Sequence, residues 1–343
     1  MYPRPSVHDV NRLRLSPRVV LLGVGCALFV FLLVRLNPAA VFSLLQRIGW
    51  HLALITAIYC LYEMLRTLAL GQCVTAHDRP SYGDLLRIRI SGEAIQFLTF
   101  TGPFFAEPAK ASYLRTRGLT TSQAFAATVS EFLIYMLLSA VMSVAGLFYL
   151  LHNFNLSRPV AIAARINLYA ASGFLAVASY AVGRRIYLIG YVIQKIAGLP
   201  LIRRLCINQT EVRHTEDLLL ALLRTSPLRL LTIVLIESGA QMLLILELFV
   251  LFRAAKQYVP PLYLFLIESG SKFISVGFFF IPGQVGVMEG AYAVLFRELG
   301  LTASMGFALA LARRLRSFFV AGIGLISAAL WERDPGSKSD AMR

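Results

Sequence analysis

Six apolar runs dominate the chain, at about residues 19–34, 50–70, 122–150, 166–183, 228–252 and 304–330. A bilayer-spanning helix needs about 17–25 apolar residues. Inside hydrocarbon only a helix or a closed barrel satisfies its own backbone, and runs of this length read as helices. Composition agrees. Of 343 residues, 57% are hydrophobic and 15% charged, and mean hydropathy is +0.69; soluble chains carry about 25% charged residues. The expected class is an all-α integral membrane protein, a polytopic helical bundle.

The first run, VVLLGVGCALFVFLLV, follows Arg12, Arg14 and Arg18 as a secretory signal would. Arg35-Leu36-Asn37-Pro38 after it is not a small-residue cleavage site, and further spans follow, so it reads as an uncleaved first helix. The net charge of +15 fits basic residues flanking membrane spans and meeting lipid headgroups. Nucleic acid is not an expected partner, because no soluble domain presents a basic face. Four cysteines without CxxC spacing and five scattered histidines predict neither disulfide nor metal, and no cofactor is expected.

Charge bias predicts the orientation. Arg4, Arg12, Arg14 and Arg18 against Asp9 place segment 1–18 in the cytoplasm. A transmembrane domain then covers 19–330, followed by a polar tail, 331–343. Both termini are expected on the cytoplasmic side of a bacterial inner membrane. Residues 184–226 form the main basic loop, with an amphipathic stretch expected to lie on the inner surface.

Segment 83–116 is basic at both ends, and its second arm, Pro103–Thr116, is only about 21 Å long as a helix. That is too short for a core of about 30 Å. A re-entrant hairpin is expected, with its broken backbone shielded by protein or lining a wet cavity.

This hairpin has a second copy. EPAKASYLRTRGLTTSQAFA, from Glu107, agrees with EGAYAVLFRELGLTASMGFA, from Glu289, at ten of twenty positions. Chance supplies about one or two at this composition. Upstream, Ser91-Gly92 and Ser269-Gly270 both interrupt apolar runs, followed by FLTFTGP and FFFIPG, and each sits inside a short-range i,i+4 charge pair, Arg89/Glu93 and Glu268/Lys272, expected on one helix face. The helix breakers expected to shape the two bends are Gly92, Gly102 and Pro103 in one copy, and Gly270, Pro282, Gly283 and Gly286 in the other. The repeats span about 19–150 and 166–330. Three crossings separate the hairpins, so they are expected to enter from opposite faces, as inverted repeats do in transporters.

Ionisable residues in membrane segments are expensive and mark candidate sites. Glu107 and Glu289 recur by the repeat and begin short helices, where each either caps its own helix or serves a ligand. Glu131 and Arg313 hold equivalent places on the long helices that follow, and an acid and a base so placed are candidates to pair with one another, with Arg314 or Arg316 nearby. Lys110, Arg115, Arg297, Arg313 and Arg314 are candidates for phosphate. Glu63/Arg66 and Glu237/Gln241 read as mutual or neighbouring partners.

The pair of motifs resembles that of the lysylphosphatidylglycerol synthase transmembrane region, also called the flippase-like family. Pro282-Gly283-Gln284-Val285-Gly286-Val287-Met288-Glu289-Gly290 is similar to its second-half motif, with Gln284 and Met288 departing from it. Gly102-Pro103 to Glu107-Pro108-Ala109-Lys110-Ala111 stands for the first-half motif. The resemblance covers about 19–330 and includes stand-alone members associated with hopanoid metabolism. It implies a lipid flippase, with membrane lipids of anionic or zwitterionic headgroup as partners and possible self-association. The hairpins would form a polar cavity for the headgroup. In it, Glu107 and Glu289 would organise the bases, contact an aminated headgroup or carry a coupling proton. The alternatives are an accessory subunit of a lipid-synthesis complex and an intramembrane lipid transferase.

Overall fold

The computed structural model describes residues 48–75, 79–98, 103–187, 209–277 and 284–331, together with a few isolated positions. The first apolar run, segment 1–18, the tail beyond Trp331, and the bend residues Gly102, Pro282 and Gly283 lie outside the described residues. Among those described there are ten α-helices and no strand. They are α1 (His51–Cys73), α2 (Tyr82–Leu98), α3 (Pro103–Arg115), α4 (Thr121–Asn153) and α5 (Arg158–Arg184), then α6 (Gln209–Thr225), α7 (Pro227–Ala254), α8 (Pro261–Gly277), α9 (Val287–Glu298) and α10 (Ala303–Trp331).

Four of these, α1, α4, α5 and α7, are long and apolar enough to cross a membrane. The expected span at 304–330 forms as α10, a 29-residue helix about 44 Å long. It carries three arginines, Arg313, Arg314 and Arg316, near its middle. The arms α3 and α9 have 13 and 12 residues, about 20 and 18 Å, too short to cross alone.

Local chemistry sets the ends. Thr120 Oγ1 accepts the Gln123 amide N–H at 3.3 Å while the Gln123 side chain accepts the Thr120 N–H at 3.1 Å, a capping box that starts α4. Prolines 103, 227 and 261 open α3, α7 and α8, where a missing N–H costs nothing. Gly118 and Gly300 follow the two short arms with φ of 89° and 74°, and each donates its N–H to the carbonyl of an equivalent arginine, Arg115 or Arg297, at 3.0 Å. The repeat seen in sequence is therefore a repeat of backbone turns as well.

The packing has the same regularity. α1 lies along α7; α2 packs on α10 and α8 on α4; α3 follows α4 and α9 follows α10. Exchanging α1–α4 for α7–α10 maps these neighbours onto one another. Two apolar cores result. One joins Leu70, Ile88, Leu114, Ala127 and Ile233; the other joins Ile55, Leu147, Leu251, Ile267 and Phe296. The end of α1 and the start of α7 share the first core, and the start of α1 and the end of α7 share the second, so α1 and α7 run antiparallel. Arg229, near the start of α7, donates to the carbonyls of Gln72 and Val74 at 2.5 Å and so closes the C-terminus of α1.

Small residues let the halves approach. A Cβ on Gly146 of α4 would collide with Ser269 of α8, where Ser143 Oγ donates to the Ser269 carbonyl at 2.9 Å. A Cβ on Gly324 of α10 would meet the Ile90 carbonyl and Ala94 of α2. Close backbone contact through glycine and serine is how membrane helices associate without a hydrophobic driving force between them.

α5 is peripheral, with Ile162, Ile166, Tyr169, Val177 and Tyr180 all exposed, as lipid-facing residues are. Of the basic loop 184–226, the amphipathic stretch expected on the inner surface, 186–196, lies mostly outside the described residues, and α6 forms the last part. Its apolar face is turned into the protein, where Leu222 joins the first core against α4, and Glu211 accepts from Ser122. Most of 188–208 lies outside the described residues.

Candidate functional site

Between the two apolar cores runs a belt of buried charge. Glu131, wholly buried on α4, gathers three bases from three helices. Arg66 of α1 lies at 2.6 Å, Arg89 of α2 at 2.9 Å and Lys110 of α3 at 3.7 Å. Each base also holds a second acid. Arg66 reaches Glu237 of α7 at 3.4 Å, Arg89 reaches Glu63 at 2.7 Å, and Lys110 reaches Glu107 at 2.7 Å.

The second half repeats the plan with the signs reversed. Arg313 of α10 draws Glu268 of α8 at 2.8 Å, Glu247 of α7 at 3.4 Å and the Tyr292 hydroxyl of α9 at 2.6 Å. The correspondence is residue by residue. Glu131 and Arg313 lie 182 residues apart, Lys110 and Tyr292 182, Arg66 and Glu247 181, and Arg89 and Glu268 179. Lys272 closes on Glu268 at 2.8 Å, and Arg316 pairs with the other oxygen of Glu247.

Glu131 and Arg313, matched by the repeat, are thus each taken up by their own half. Of the two alternatives for Glu63 and Arg66, neighbouring helices supply the partners, Arg89 and Glu131 respectively. Of the two short-range pairs, Glu268/Lys272 forms, whereas Glu93 accepts from the Tyr59 hydroxyl at 3.0 Å and Arg89 turns to Glu63 and Glu131. Gln241 donates to Ser139 at 3.3 Å.

Aromatic rings join the halves. The Arg66 guanidinium stands 3.9 Å from the Tyr135 ring centre, and Lys272 approaches that ring at 5.8 Å. Arg316 stacks over Tyr59 at 3.7 Å. Cation–π contacts of this kind strengthen when desolvated.

The two repeated glutamates differ in use. Glu289 is wholly buried, accepts the Gly286 N–H at 2.8 Å and pairs with Arg314 at 2.5 Å through its other oxygen. It therefore both caps α9 and carries a salt bridge; Gly286 sits at φ 81°, which lets its amide point back at the carboxylate. Glu107 pairs with Lys110 through Oε1, while its buried Oε2 has no hydrogen-bond partner. The Lys110 stem lies across Gly92, whose missing side chain makes room for it.

Arg115 and Arg297 sit at the exposed ends of α3 and α9, away from the belt. Sequence reasoning passed over Arg89, Glu247, Glu268 and Lys272 as site members. Their signal was available: Glu247, Glu268 and Lys272 are ionisable residues inside largely apolar helices, and Arg89 lies in a shorter arm that also carries Asp84, Arg87 and Glu93.

Removing one partner of a buried pair leaves an uncompensated charge and costs about 3–5 kcal/mol. The belt is therefore held together by many mutually dependent contacts.

Long apolar helices around a charged interior define a polytopic helical membrane protein with a polar centre. Residues 19–324 match the family described as the lysylphosphatidylglycerol synthase TM region, and the chain belongs to that family. Comparison with curated proteins and with solved structures gave no match.

Proposed function

We propose that the chain is a transporter that moves an amphiphilic lipid, of phospholipid or isoprenoid type, between the leaflets of the cell membrane. The observation that carries this reading is the pair of charge-inverted clusters centred on Glu131 and Arg313. Buried charge at that cost in a membrane interior points to a polar path. A headgroup has both phosphate and, in zwitterionic lipids, an amine. A belt with bases converging on one acid and acids converging on one base offers exchange partners for each.

On this reading the arm pairs α2–α3 and α8–α9 are re-entrant hairpins of two inverted repeats. Support comes from the short arms, the exchangeable neighbours and the antiparallel α1 and α7, which put the two apolar cores at opposite ends of that pair. Inverted repeats meeting at the midplane suit alternating access. The headgroup would displace Glu107 from Lys110 and Glu289 from Arg314 while its tails stay in the bilayer. Membrane lipids are the proposed partners, with both termini in the cytoplasm.

The family's description contains the word synthase, so an intramembrane lipid transferase is the competing reading, and an accessory subunit of a lipid-synthesis complex the third. Reconstitution of the purified chain in vesicles with labelled lipids of several headgroups separates them. Leaflet exchange of unmodified lipid supports the proposal, and chemical conversion of the label supports the transferase. Neither activity alone, with activity restored by a partner enzyme, supports the accessory role.

A further inference from the structure

Arg66 holds two carboxyl groups with one guanidinium. Its Nη2 lies 2.6 Å from Glu131 Oε1 and its Nε 3.4 Å from Glu237 Oε1. The fork sets the two carboxyls side by side. Both residues are wholly buried, and among the described residues Oε2 of each has no hydrogen-bond donor, with Lys110 Nζ standing 3.7 Å from that of Glu131.

The surroundings do not neutralise both. Facing the pair are Arg66, Glu63 and Cys73 of α1, Arg89 of α2, Lys110 of α3 and, beyond the Tyr135 ring, Lys272 of α8. Arg89 and Lys110 go to Glu131, and only Arg66, at the longer distance, reaches Glu237. Glu63, Glu93, Glu107 and Glu131 of the first half, with Glu237 of α7, stand against Arg66, Arg89 and Lys110, an excess of acid. Two carboxylates side by side, away from water, cannot both be ionised cheaply.

We propose that Glu131 and Glu237 share one proton, making the pair a proton-binding site in the interior of the membrane domain. The charge stays on Glu131, where three bases meet. The proton belongs to Glu237 and bridges to Glu131 as O–H···O⁻. It is taken from water and returned to water with no other change in bonding. Separating α4 from α7 breaks the bridge, and Glu237, relieved of the negative charge of Glu131, gives up its proton more readily. The inference goes beyond lipid movement and does not need it: the site exists or fails on its own.

Infrared difference spectroscopy of the full chain in nanodiscs at neutral pH tests it, beside thermal unfolding. The expected result is a protonated-carboxyl stretch that shifts in D2O and disappears in Glu237→Gln. An amide mimics a neutral carboxyl, so Glu237→Gln should melt near the parent, whereas Glu131→Gln should melt well below it. A carboxyl band unchanged in Glu237→Gln overturns the proposal. So does a Glu237→Gln protein as destabilised as Glu131→Gln, because Glu237 would then be an ionised partner of Arg66. If neither variant can be purified, Glu237→Asp in the same spectrum serves. A band moved in frequency supports the shared proton, and an unmoved band overturns it.

Discussion

Glu131 and Arg313 each lie ten residues into a long helix, α4 or α10, and each is met by side chains from the three helices preceding it in its own half, yet they carry opposite charge. The same scaffold has been filled with complementary chemistry. Neither cluster needs the other for its ion pairs, and the rings of Tyr135 and Tyr59 form the seam between them.

Loss of either hub should be severe. Glu131→Gln takes one of two acid partners from each of Arg66, Arg89 and Lys110, and Arg313→Gln leaves Glu247 to Arg316 and Glu268 to Lys272 alone. Each should cost about 3–5 kcal/mol, the penalty for breaking a buried pair. Thermal unfolding in detergent measures this, with exposed Arg115→Gln as the control expected to stay within about 0.5 kcal/mol of the parent.

The repeated glutamates separate capping from function. Glu289→Gln keeps an oxygen for the Gly286 amide and loses the charge that Arg314 needs; Glu107→Gln removes the partner of Lys110. Both are expected to insert and fold, with lipid movement strongly reduced. Normal flipping by both variants in reconstituted vesicles would assign the two residues a purely structural role.

Glycines at close contacts should be intolerant. Leu at Gly324 meets the α2 backbone, and Leu at Gly286 forces a residue with a side chain into a left-handed conformation costing about 1–2 kcal/mol. Gly173, with nothing within 4 Å of its added Cβ, is the control. Folded yield should fall for Gly324→Leu and Gly286→Leu and hold for Gly173→Leu.

Inversion of the repeats is tested by labelling. Arg115→Cys and Arg297→Cys, at the exposed ends of α3 and α9, are compared in a background lacking the native cysteines. An impermeant thiol reagent should reach them from opposite faces of the membrane. Modification of both from one face would rule out the inverted arrangement.

The contact between α9 and α5 should depend on acid pH. Glu298 accepts from the Ser157 hydroxyl at 2.6 Å and from its N–H at 2.8 Å, and these bonds hold its carboxyl below the usual carboxylate range. A depressed carboxyl contributes fully above the unfolded value of about 4.3, and the contribution is lost as pH falls through the depressed one. Hydrogen exchange in the first turn of α5 should therefore be unchanged from pH 8 to 5 and rise, after correction for intrinsic rates, only in stronger acid. Glu298→Gln should remove that step.

Much of the architecture was readable in the chain because apolar runs and a ten-in-twenty internal match are local signals. The hub positions, Glu131 and Arg313, followed from that match. Their partners did not. Arg66 and Glu131 are 65 residues apart, and no periodicity encodes which helices become neighbours. The short-range rule succeeded for Glu268 with Lys272 and failed for Arg89 with Glu93, because a buried base takes the acids that three-dimensional packing offers.

The opposed signs of the two clusters carry a consequence for the gene. On the proposed duplication, two once-identical segments have become non-interchangeable. Copying one over the other would gather acid with acid around Glu247 and Glu268, or base with base around Arg66 and Arg89. Sequence exchange between the halves is thereby penalised at the protein level, and each half is free to drift from its twin everywhere except at the positions that hold its own hub.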